Sequence, residues 1–260
     1  MKTLILLRGL TRESGHWGEF PALLQARLGD ARVIALDLPG NGVLHAQTSP
    51  LCVQHMAEAC RTALRAQGIA PPYHLLAMSL GGMVAVDWAS RYPEEISGAV
   101  LINTSLRGIS PLHWRLRPGN WPWLLRLMTL WRQPLRCEEI VLRLTSRHHA
   151  AHTAPGQALL AQWLRLREKH PVSAYNALRQ LWAAARYAAP LQRPPVPLLV
   201  LTSQHDGLVD TRCSQRLAQR WHAALAIHPH AGHDLPLDAG DWVAERVGGW
   251  VGGQVSDTLS

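Results

Sequence analysis

The chain has 260 residues, of which 47% are hydrophobic, so it can bury one sizeable core and is not of the disordered class. No stretch is apolar for long enough to cross a bilayer as a helix. The net charge of +8 is uneven: residues 106–190 contain 13 Lys and Arg against 3 Asp and Glu, whereas the rest contains 13 against 15. Such a basic segment attracts acidic partners, or simply keeps a helical insertion soluble.

Short apolar strands alternate with helices in the first 105 residues. The strands are predicted at Lys2–Leu7, at Arg32–Leu38, in the run that ends at Ser79 and at Ala99–Ile102. Helices are predicted from Leu23 to Leu28, from Cys52 to Gln67 and from Met83 to Tyr92. The first two strands lack polar alternation, which is typical of strands buried on both faces. This order predicts an α/β fold with a mainly parallel, doubly wound sheet.

The alternation stops between residues 106 and 190, where the sequence predicts helices only. They lie at Trp123–Trp131, Glu138–Arg147, Gln157–Lys169 and Ser173–Tyr187. The last helix has apolar residues on one face, namely Leu178, Leu181, Trp182 and Ala185. Strands then resume at Leu198–Thr202 and Leu225–His228, with helices at Thr211–His222 and Trp242–Val251. We therefore predict a core of residues 1–105 and 191–260 with a helical cap, residues 106–190, inserted between two strands.

Ser79 lies in the stretch Ala77-Met78-Ser79-Leu80-Gly81, where an apolar strand ends and a helix begins. A serine at such a turn has its hydroxyl lifted clear of the sheet, beside the free N–H groups of the helix. The stretch resembles the nucleophile elbow of the α/β-hydrolase superfamily, with Ala77 in place of the first glycine. A strand-to-helix turn with a solvated serine fits these five residues as well.

Two later segments resemble the other catalytic loops of this superfamily. Asp206 lies in S-Q-H-D-G-L-V-D after one predicted strand, and His233 lies in H-A-G-H-D-L-P after the last one. The resemblance implies a triad of Ser79, Asp206 and His233, in the order serine, acid, histidine. Asp210 is a rival acid, but it precedes a helix and is better placed as an N-cap. Asp87, within the helix after Ser79, is better interpreted as an ordinary helix residue.

The loop after the first strand resembles the superfamily's oxyanion loop. The resemblance implies that the backbone N–H groups of Leu10 and Leu80 stabilise an oxyanion. Arg8 stands where the family usually carries histidine, which leaves the role of its side chain open. Trp17 matches a tryptophan of the family and is assigned to packing. Some members carry the acid after the strand that follows the elbow, but that position is Asn103 here.

No cofactor or metal is predicted. His228, His230 and His233 are spaced like part of a zinc motif, but glycine stands at its aspartate position. A second histidine group, His148, His149 and His152, has no cysteine or carboxylate beside it. The sequence contains neither a G-x-G-x-x-G stretch after a strand nor a Walker motif. The cysteines Cys52, Cys60, Cys137 and Cys213 show no C-x-x-C spacing, which favours reduced thiols in the cytoplasm.

The predicted cap contains six of the 11 tryptophans, namely Trp114, Trp121, Trp123, Trp131, Trp163 and Trp182. An apolar underside over the serine would favour an ester with an apolar acyl or aromatic part, although the tryptophans could equally pack the cap's own core. The S-L-G-G elbow, the D-G-L-V loop and the basic helical cap are similar to the carboxylesterases that cleave pimeloyl-carrier methyl esters. This similarity implies an acidic carrier protein as a partner, and an anionic membrane surface is an alternative.

These features predict a serine hydrolase that cleaves carboxylic esters through an acyl-enzyme. A thioesterase or lactonase that uses the same triad is an alternative, as is a binding protein that keeps the fold without turnover. A nucleic-acid partner is not expected, because the sequence contains no recognised nucleic-acid motif and the basic residues lie where a lid is predicted.

Overall fold

The computed structural model describes residues 2–253, so Met1 and residues 254–260 of the predicted core lie outside the described part. Its centre is a six-stranded parallel sheet in the order β2-β1-β3-β4-β5-β6. The strands are β1 Thr3–Leu7, β2 Arg32–Leu36, β3 Tyr73–Met78, β4 Ile96–Ile102, β5 Leu198–Ser203 and β6 Ala224–His228. Since all six strands are parallel, their carboxyl ends meet at one edge of the sheet, where ligands bind in folds of this class.

Helices cover both faces of the sheet, because successive side chains of each strand point to opposite sides. The helices of the core are α1 Phe20–Leu28, α2 Val53–Ala66, α3 Leu80–Arg91, α9 Arg212–Trp221, α10 Leu235–Asp238 and α11 Gly240–Val251. In β1, Ile5 and Leu7 belong to the apolar cluster that includes residues of α2 and α3, whereas Leu4 and Leu6 belong to the cluster that includes residues of α1 and α11. The sheet is therefore buried between two layers of helices.

Strand β2 corrects one prediction. It lies at the edge of the sheet, and only Leu36 of its five residues is buried, while Arg32 is exposed. Its apolar sequence predicted burial on both faces. The edge position explains the difference, since β2 has a neighbouring strand on one side only.

The segment between β4 and β5 contains five α-helices within the described residues. They are α4 Leu112–Arg115, α5 Trp121–Thr129, α6 Pro134–Thr145, α7 Ala154–Lys169 and α8 Ala174–Arg186. The short helix α4 was not predicted. No residue of α5 is buried, whereas each of the other four helices has at least one buried side chain. We refer to these five helices as the inserted helices.

Helix α8 is oriented differently from what its apolar residues suggest. Leu178, Leu181 and Trp182 are exposed, and the buried side chains are Asn176, Gln180 and Ala183. Gln180 accepts a hydrogen bond from the N–H of Thr11 at 2.8 Å and donates to Asn41 and Ser49, so polar contacts fasten α8 to the core loops. Among residues 2–253, no helix has the length and apolar character that a bilayer span requires.

Candidate active site

Ser79 stands between β3 and α3 in a backbone conformation that L-residues rarely adopt, with φ 55° and ψ −117°. Two hydrogen bonds hold this conformation: the N–H of Ser79 donates to the carbonyl of Ile102 at 3.0 Å, and the hydroxyl of Thr104 donates to the carbonyl of Ser79 at 2.7 Å. The sequence predicted such a turn; the two partners are the last residue of β4, Ile102, and Thr104, which follows the strand.

The glycine after the turn allows α3 to approach β1 closely. A Cβ atom on Gly81 would lie 2.5 Å from the backbone oxygen of Leu7, a separation that side chains do not tolerate. Helix α3 begins at Leu80, three residues before the predicted start at Met83. Glycine is a poor helix former, but tertiary packing requires it at this position.

Asp206 and His233 form a buried pair at the ends of β5 and β6. Oδ2 of Asp206 lies 2.7 Å from Nδ1 of His233, and each residue is 2% exposed. Oδ1 of Asp206 accepts the backbone N–H groups of Leu208 at 2.8 Å and Val209 at 2.9 Å, which fix the carboxylate. Because Nδ1 donates to the carboxylate, Nε2 is the nitrogen that remains free to accept a proton.

Ser79 and His233 line the same cavity, which has a volume of about 120 Å³. Gly9, Leu10 and Leu208 also line it. Within residues 2–253, no hydrogen bond joins the hydroxyl of Ser79 to His233. Such bonds are often long without substrate and shorten in the substrate complex. The hydroxyl of Ser79 and the imidazole of His233 thus face one small cavity, and the carboxylate of Asp206 lies behind the imidazole.

The two rival carboxylates are engaged elsewhere. Asp210 accepts the backbone N–H of Arg212 at 3.0 Å and forms ion pairs with Arg212 and Arg117. The hydrogen bonds from Arg212 lower the pKa of Asp210 to about 2. Asp87 is 5% exposed and lies 3.4 Å from Arg91, and burial raises its pKa. Within the described residues, neither carboxylate forms a hydrogen bond with His233, the contact that distinguishes Asp206.

The loop after β1 lies directly against the serine. A Cβ atom on Gly9 would be 3.1 Å from Cβ of Ser79, and the following residue, Leu10, lines the same cavity as Ser79. Within the described chain, the backbone N–H groups of Leu10 and Leu80 have no acceptor. The next residue, Thr11, has a positive φ of 56° and donates its N–H to Gln180. These two backbone donors without an acceptor are therefore Leu80, next to Ser79 in the chain, and Leu10, in the loop that packs against it.

Asn103 is a site residue whose contribution the sequence did not reveal. Its side-chain nitrogen donates to the backbone carbonyl of His233 at 2.8 Å and to the hydroxyl of Ser203 at 3.0 Å. Its side-chain oxygen accepts the N–H of Ser203 at 3.0 Å. A polar residue at the end of an apolar strand was the available signal, but it indicates neither the partner nor the contact.

Arg8 and Asp234 form an ion pair that links two loops of the site. The two guanidinium nitrogens lie 3.0 Å and 2.5 Å from the two carboxylate oxygens, and both residues are 3% exposed. Burial opposes ionisation of Asp234, but the charge and hydrogen bonds of Arg8 hold its pKa below the ordinary value. Trp17 is buried with Arg8 4.8 Å from its ring centre, as expected of a packing residue.

A second cavity, of about 150 Å³, lies next to the first, between the loop after β1 and the inserted helices. The two cavities share apolar lining residues, namely Leu10, Leu124, Leu127 and Val141. One wall of the second cavity is charged: Glu138 forms ion pairs with Arg12 at 2.7 Å and with Arg167 at 3.0 Å. The space beside Ser79 therefore borders a second space that has apolar lining residues and one charged wall.

A separate groove lies between α5, α6 and the turn after α6. Its lining includes four arginines, Arg126, Arg136, Arg143 and Arg147, but Glu139 is the only acidic residue in it. None of these arginines forms an ion pair within residues 2–253. The excess charge of the inserted helices is thus partly concentrated in one basic groove.

Two histidines of the groups compared with zinc motifs, His228 and His148, contact the backbone of the protein. Nδ1 of His228 accepts the backbone N–H of Ala231 at 3.0 Å, and Nδ1 of His148 lies 2.8 Å from the carbonyl of Asp238. In the described part of the chain, no three His, Cys, Asp or Glu side chains are arranged to hold a metal ion.

Comparison with known proteins shows that the chain is similar to hydrolases. The chain matches the model of the alpha/beta hydrolase fold family over residues 2–239. A pimeloyl-[acyl-carrier protein] methyl ester esterase of Nitrosomonas europaea is 26% identical over 240 residues, 88% of each chain. A Cronobacter turicensis protein, provisionally named as the carbamate hydrolase RutD, is 28% identical over 256 residues, 91% of this chain and 85% of its own.

The solved structures agree in fold. The enol-lactonase of Burkholderia xenovorans LB400 has a TM-score of 0.78 at 18% identity, covering 96% of this chain and 91% of the lactonase. A thermophilic esterase of Thermogutta terrifontis has a TM-score of 0.75 at 19% identity, and the match covers 97% of this chain and 90% of the esterase. These matches confirm the predicted fold class.

Proposed function

Since the chain belongs to the alpha/beta hydrolase fold family, we propose that it is a serine hydrolase that cleaves carboxylic esters. The observation that carries the proposal is the 2.7 Å contact between Asp206 and His233 beside the cavity that Ser79 also lines. A serine hydroxyl needs a base to remove its proton, and the base needs a carboxylate that fixes its tautomer. The three side chains supply these parts.

The proposed reaction proceeds in two steps. Nε2 of His233 takes the proton of Ser79 as its oxygen attacks the ester carbonyl, and Asp206 stabilises the imidazolium. The N–H groups of Leu10 and Leu80 bind the oxyanion of the tetrahedral intermediate. When the intermediate collapses, the alcohol leaves with the proton from His233. Water, activated by the same imidazole, then releases the acid from Ser79.

The lining of the cavities supports an ester with an apolar acyl or aromatic part. Leu10, Leu124, Leu127 and Val141 line both cavities, so an acyl chain could extend from Ser79 between the loop after β1 and helices α5 and α6. The proposed substrate is an oxygen ester, because attack of Ser79 on its carbonyl produces an oxyanion that the N–H groups of Leu10 and Leu80 would stabilise. Thioesters, lactones and carbamates undergo the same acyl transfer and belong in the substrate panel.

A fluorophosphonate probe tests the nucleophile. We expect the probe to label the wild type and not Ser79→Ala. The matched control is Ser90→Ala, which alters a serine within α3 and should be labelled like the wild type. Equal labelling of wild type and Ser79→Ala would refute the assignment. A folded wild type that reacts neither with the probe nor with p-nitrophenyl esters of any chain length would indicate a binding protein without turnover.

The basic groove supports an acidic carrier protein as the partner that presents the acyl group. Its four arginines lack carboxylate partners in the described chain, and guanidinium groups bind carboxylates and phosphates through paired hydrogen bonds. Residues 124 and 127 of α5 line the catalytic cavities, while 123 and 126 line the groove, so the two spaces lie on either side of one helix. One relative carries an acyl-carrier substrate in its name, which supports the same partner.

Kinetics with bound and free substrates test this partner. The double variant Arg136→Ser/Arg143→Ser is expected to lower kcat/KM for a carrier-bound ester and to leave p-nitrophenyl butyrate unchanged. Salt should weaken the first reaction and not the second, because screening acts on exposed charges. Equal effects on both substrates would exclude a docking role for the groove, and binding to anionic vesicles instead of carrier would favour a membrane surface.

We also propose a cytoplasmic location, which the four free cysteines support.

A further inference from the structure

The ion pair between Arg8 and Asp234 lies in the wall of the cavity that contains Ser79 and His233. Two hydrogen bonds, of 3.0 Å and 2.5 Å, join the two groups edge to edge. Paired bonds of this kind fix the orientation of both planes as well as their separation. A histidine at position 8 could not make them, since its two ring nitrogens do not point in parallel.

The positions of the two residues give the pair its significance. Arg8 is followed by Gly9 and Leu10, the loop that lies against the serine, and Asp234 is the residue after His233. The same guanidinium also lies 3.7 Å from the sulfur of Met78, the residue before Ser79. Arg8 thus begins the loop of Gly9 and Leu10, and its side chain contacts Asp234, next to His233, and Met78, next to Ser79. These three segments surround the reacting hydroxyl.

A purely stabilising role explains the pair poorly. Desolvation of two buried charges offsets much of their attraction, so a whole buried ion pair is often replaceable by apolar residues, even though loss of one partner alone is destabilising. Their paired geometry does restrict how the attached loops can move relative to each other. The Arg8–Asp234 pair is therefore better suited to holding loops in register than to raising stability.

We propose that Arg8 is a positioning residue, which through Asp234 holds the imidazole of His233 and the N–H of Leu10 in place relative to Ser79. The inference rests on the proposed hydrolase function. Displacement of a catalytic group by about 1 Å can lower the rate about 100-fold. Loss of the paired geometry is therefore expected to lower kcat by roughly 10- to 100-fold with little change in KM.

Arg8→Lys tests the proposal, because lysine keeps the charge and loses the paired bonds. Arg61→Lys is the matched control: Arg61 donates to Glu95 through two bonds of 2.8 Å and 2.7 Å, and that pair is also buried. Glu95 precedes β4, so the control pair lies at the amino ends of the strands, away from Ser79. With both variants assayed well below their melting temperatures, Arg8→Lys should lose kcat and Arg61→Lys should keep it.

A second measurement does not depend on turnover. The proton between Nδ1 of His233 and Asp206 gives a downfield ¹H NMR resonance, which Arg8→Lys should shift or broaden and Arg61→Lys should leave in place. Asp234→Asn replaces Arg8→Lys if the latter does not fold. An unchanged resonance in the site variant, or an equal change in the control, overturns the proposal. If the wild type is inactive but the resonance responds as expected, the hydrolase function fails and the positioning role stands.

Discussion

The side-chain amide of Asn103 donates a hydrogen bond of 2.8 Å to the backbone carbonyl of His233 and so joins the end of β4 to the loop that carries the imidazole. The amide also lies 3.4 Å from the carbonyl of Gly232. The backbone carbonyl oxygens of Gly232 and His233 therefore both face the side-chain amide of Asn103. Asn103 contacts the backbone of the histidine loop, whereas Asp206 contacts the ring.

Asn103→Asp is expected to lower kcat by about tenfold or more, since a carboxylate there cannot donate and repels the carbonyls of Gly232 and His233. Asn176→Asp is the control, because its side chain also donates to a backbone carbonyl, that of Gln47 at 2.9 Å, but not in the histidine loop. Steady-state kinetics with p-nitrophenyl butyrate provide the measurement. Similar kcat values for wild type and Asn103→Asp would show that this contact does not matter for catalysis.

Asp206→Asn should lower kcat by about 10⁴-fold, because an amide does not hold His233 in the tautomer that accepts the serine proton. Asp210→Asn should leave kcat close to the wild-type value, since Asp210 pairs with Arg212 and Arg117 outside the cavity. The fluorophosphonate labelling rate and kcat measure both effects. A large loss in Asp210→Asn with little change in Asp206→Asn would reverse the assignment of the acid.

Asn103→Asp is not expected to restore activity to Asp206→Asn, even though some related enzymes carry their acid after this strand. The side chain at position 103 faces the carbonyl of His233 and not Nδ1 of its ring. A carboxylate there has no path to the imidazole without rearrangement of the loop. Recovery of kcat in the double variant would show that the loop can rearrange.

The edge of the sheet at which the candidate residues lie follows from the sequence. Strand and helix alternate outside residues 106–190, so the strands are expected to run parallel, and residues that follow β3, β5 and β6 should meet at one edge. Ser79, Asp206 and His233 are such residues. The local pattern thus predicted their neighbourhood, while their catalytic roles stay predictions until the variants are measured.

Contacts between distant segments could not be predicted in this way. The Arg8–Asp234 pair joins residues 226 positions apart, and only Arg8 was noticeable in the sequence, as a departure from a family pattern. Gln180 seemed an ordinary polar residue of α8, yet it is fully buried against Thr11 and Asn41. Periodicity shows which residues are apolar, but polar partners that become buried together depend on how the segments pack.

Each methylene added to the acyl chain of the ester should raise kcat/KM by up to about fourfold until the cavities are filled, because each buried methylene contributes about 0.8 kcal/mol. Leu127→Trp should lower kcat/KM for octanoyl esters by about tenfold or more relative to acetyl esters, since Leu127 lines both cavities. The control is Leu125→Trp, on the same helix at a side chain that is 67% exposed. A parallel shift for every chain length would show that the acyl group lies elsewhere.

Glu95 should make part of the fold's stability depend on pH. The hydrogen bonds of Arg61, followed by those of Trp88 and Arg65, lower its pKa from 4.5 to about 2. Because the pKa in the folded state lies below that of the unfolded chain, the stabilisation is complete above about pH 4.5 and is lost as the pH falls towards 2. The shift corresponds to about 3 kcal/mol at neutral pH.

Glu95→Gln removes the titrating group, so its melting temperature should lie well below that of the wild type at pH 7 and approach it as the pH falls from 4.5 towards 2. Calorimetry at several pH values measures the difference. Glu168→Gln, at an exposed residue without an ion pair in the described chain, should differ little from the wild type at any pH. A gap between Glu95→Gln and the wild type that stays constant down to pH 2 would show that the stabilisation comes from packing or neutral hydrogen bonds and not from the charge of Glu95.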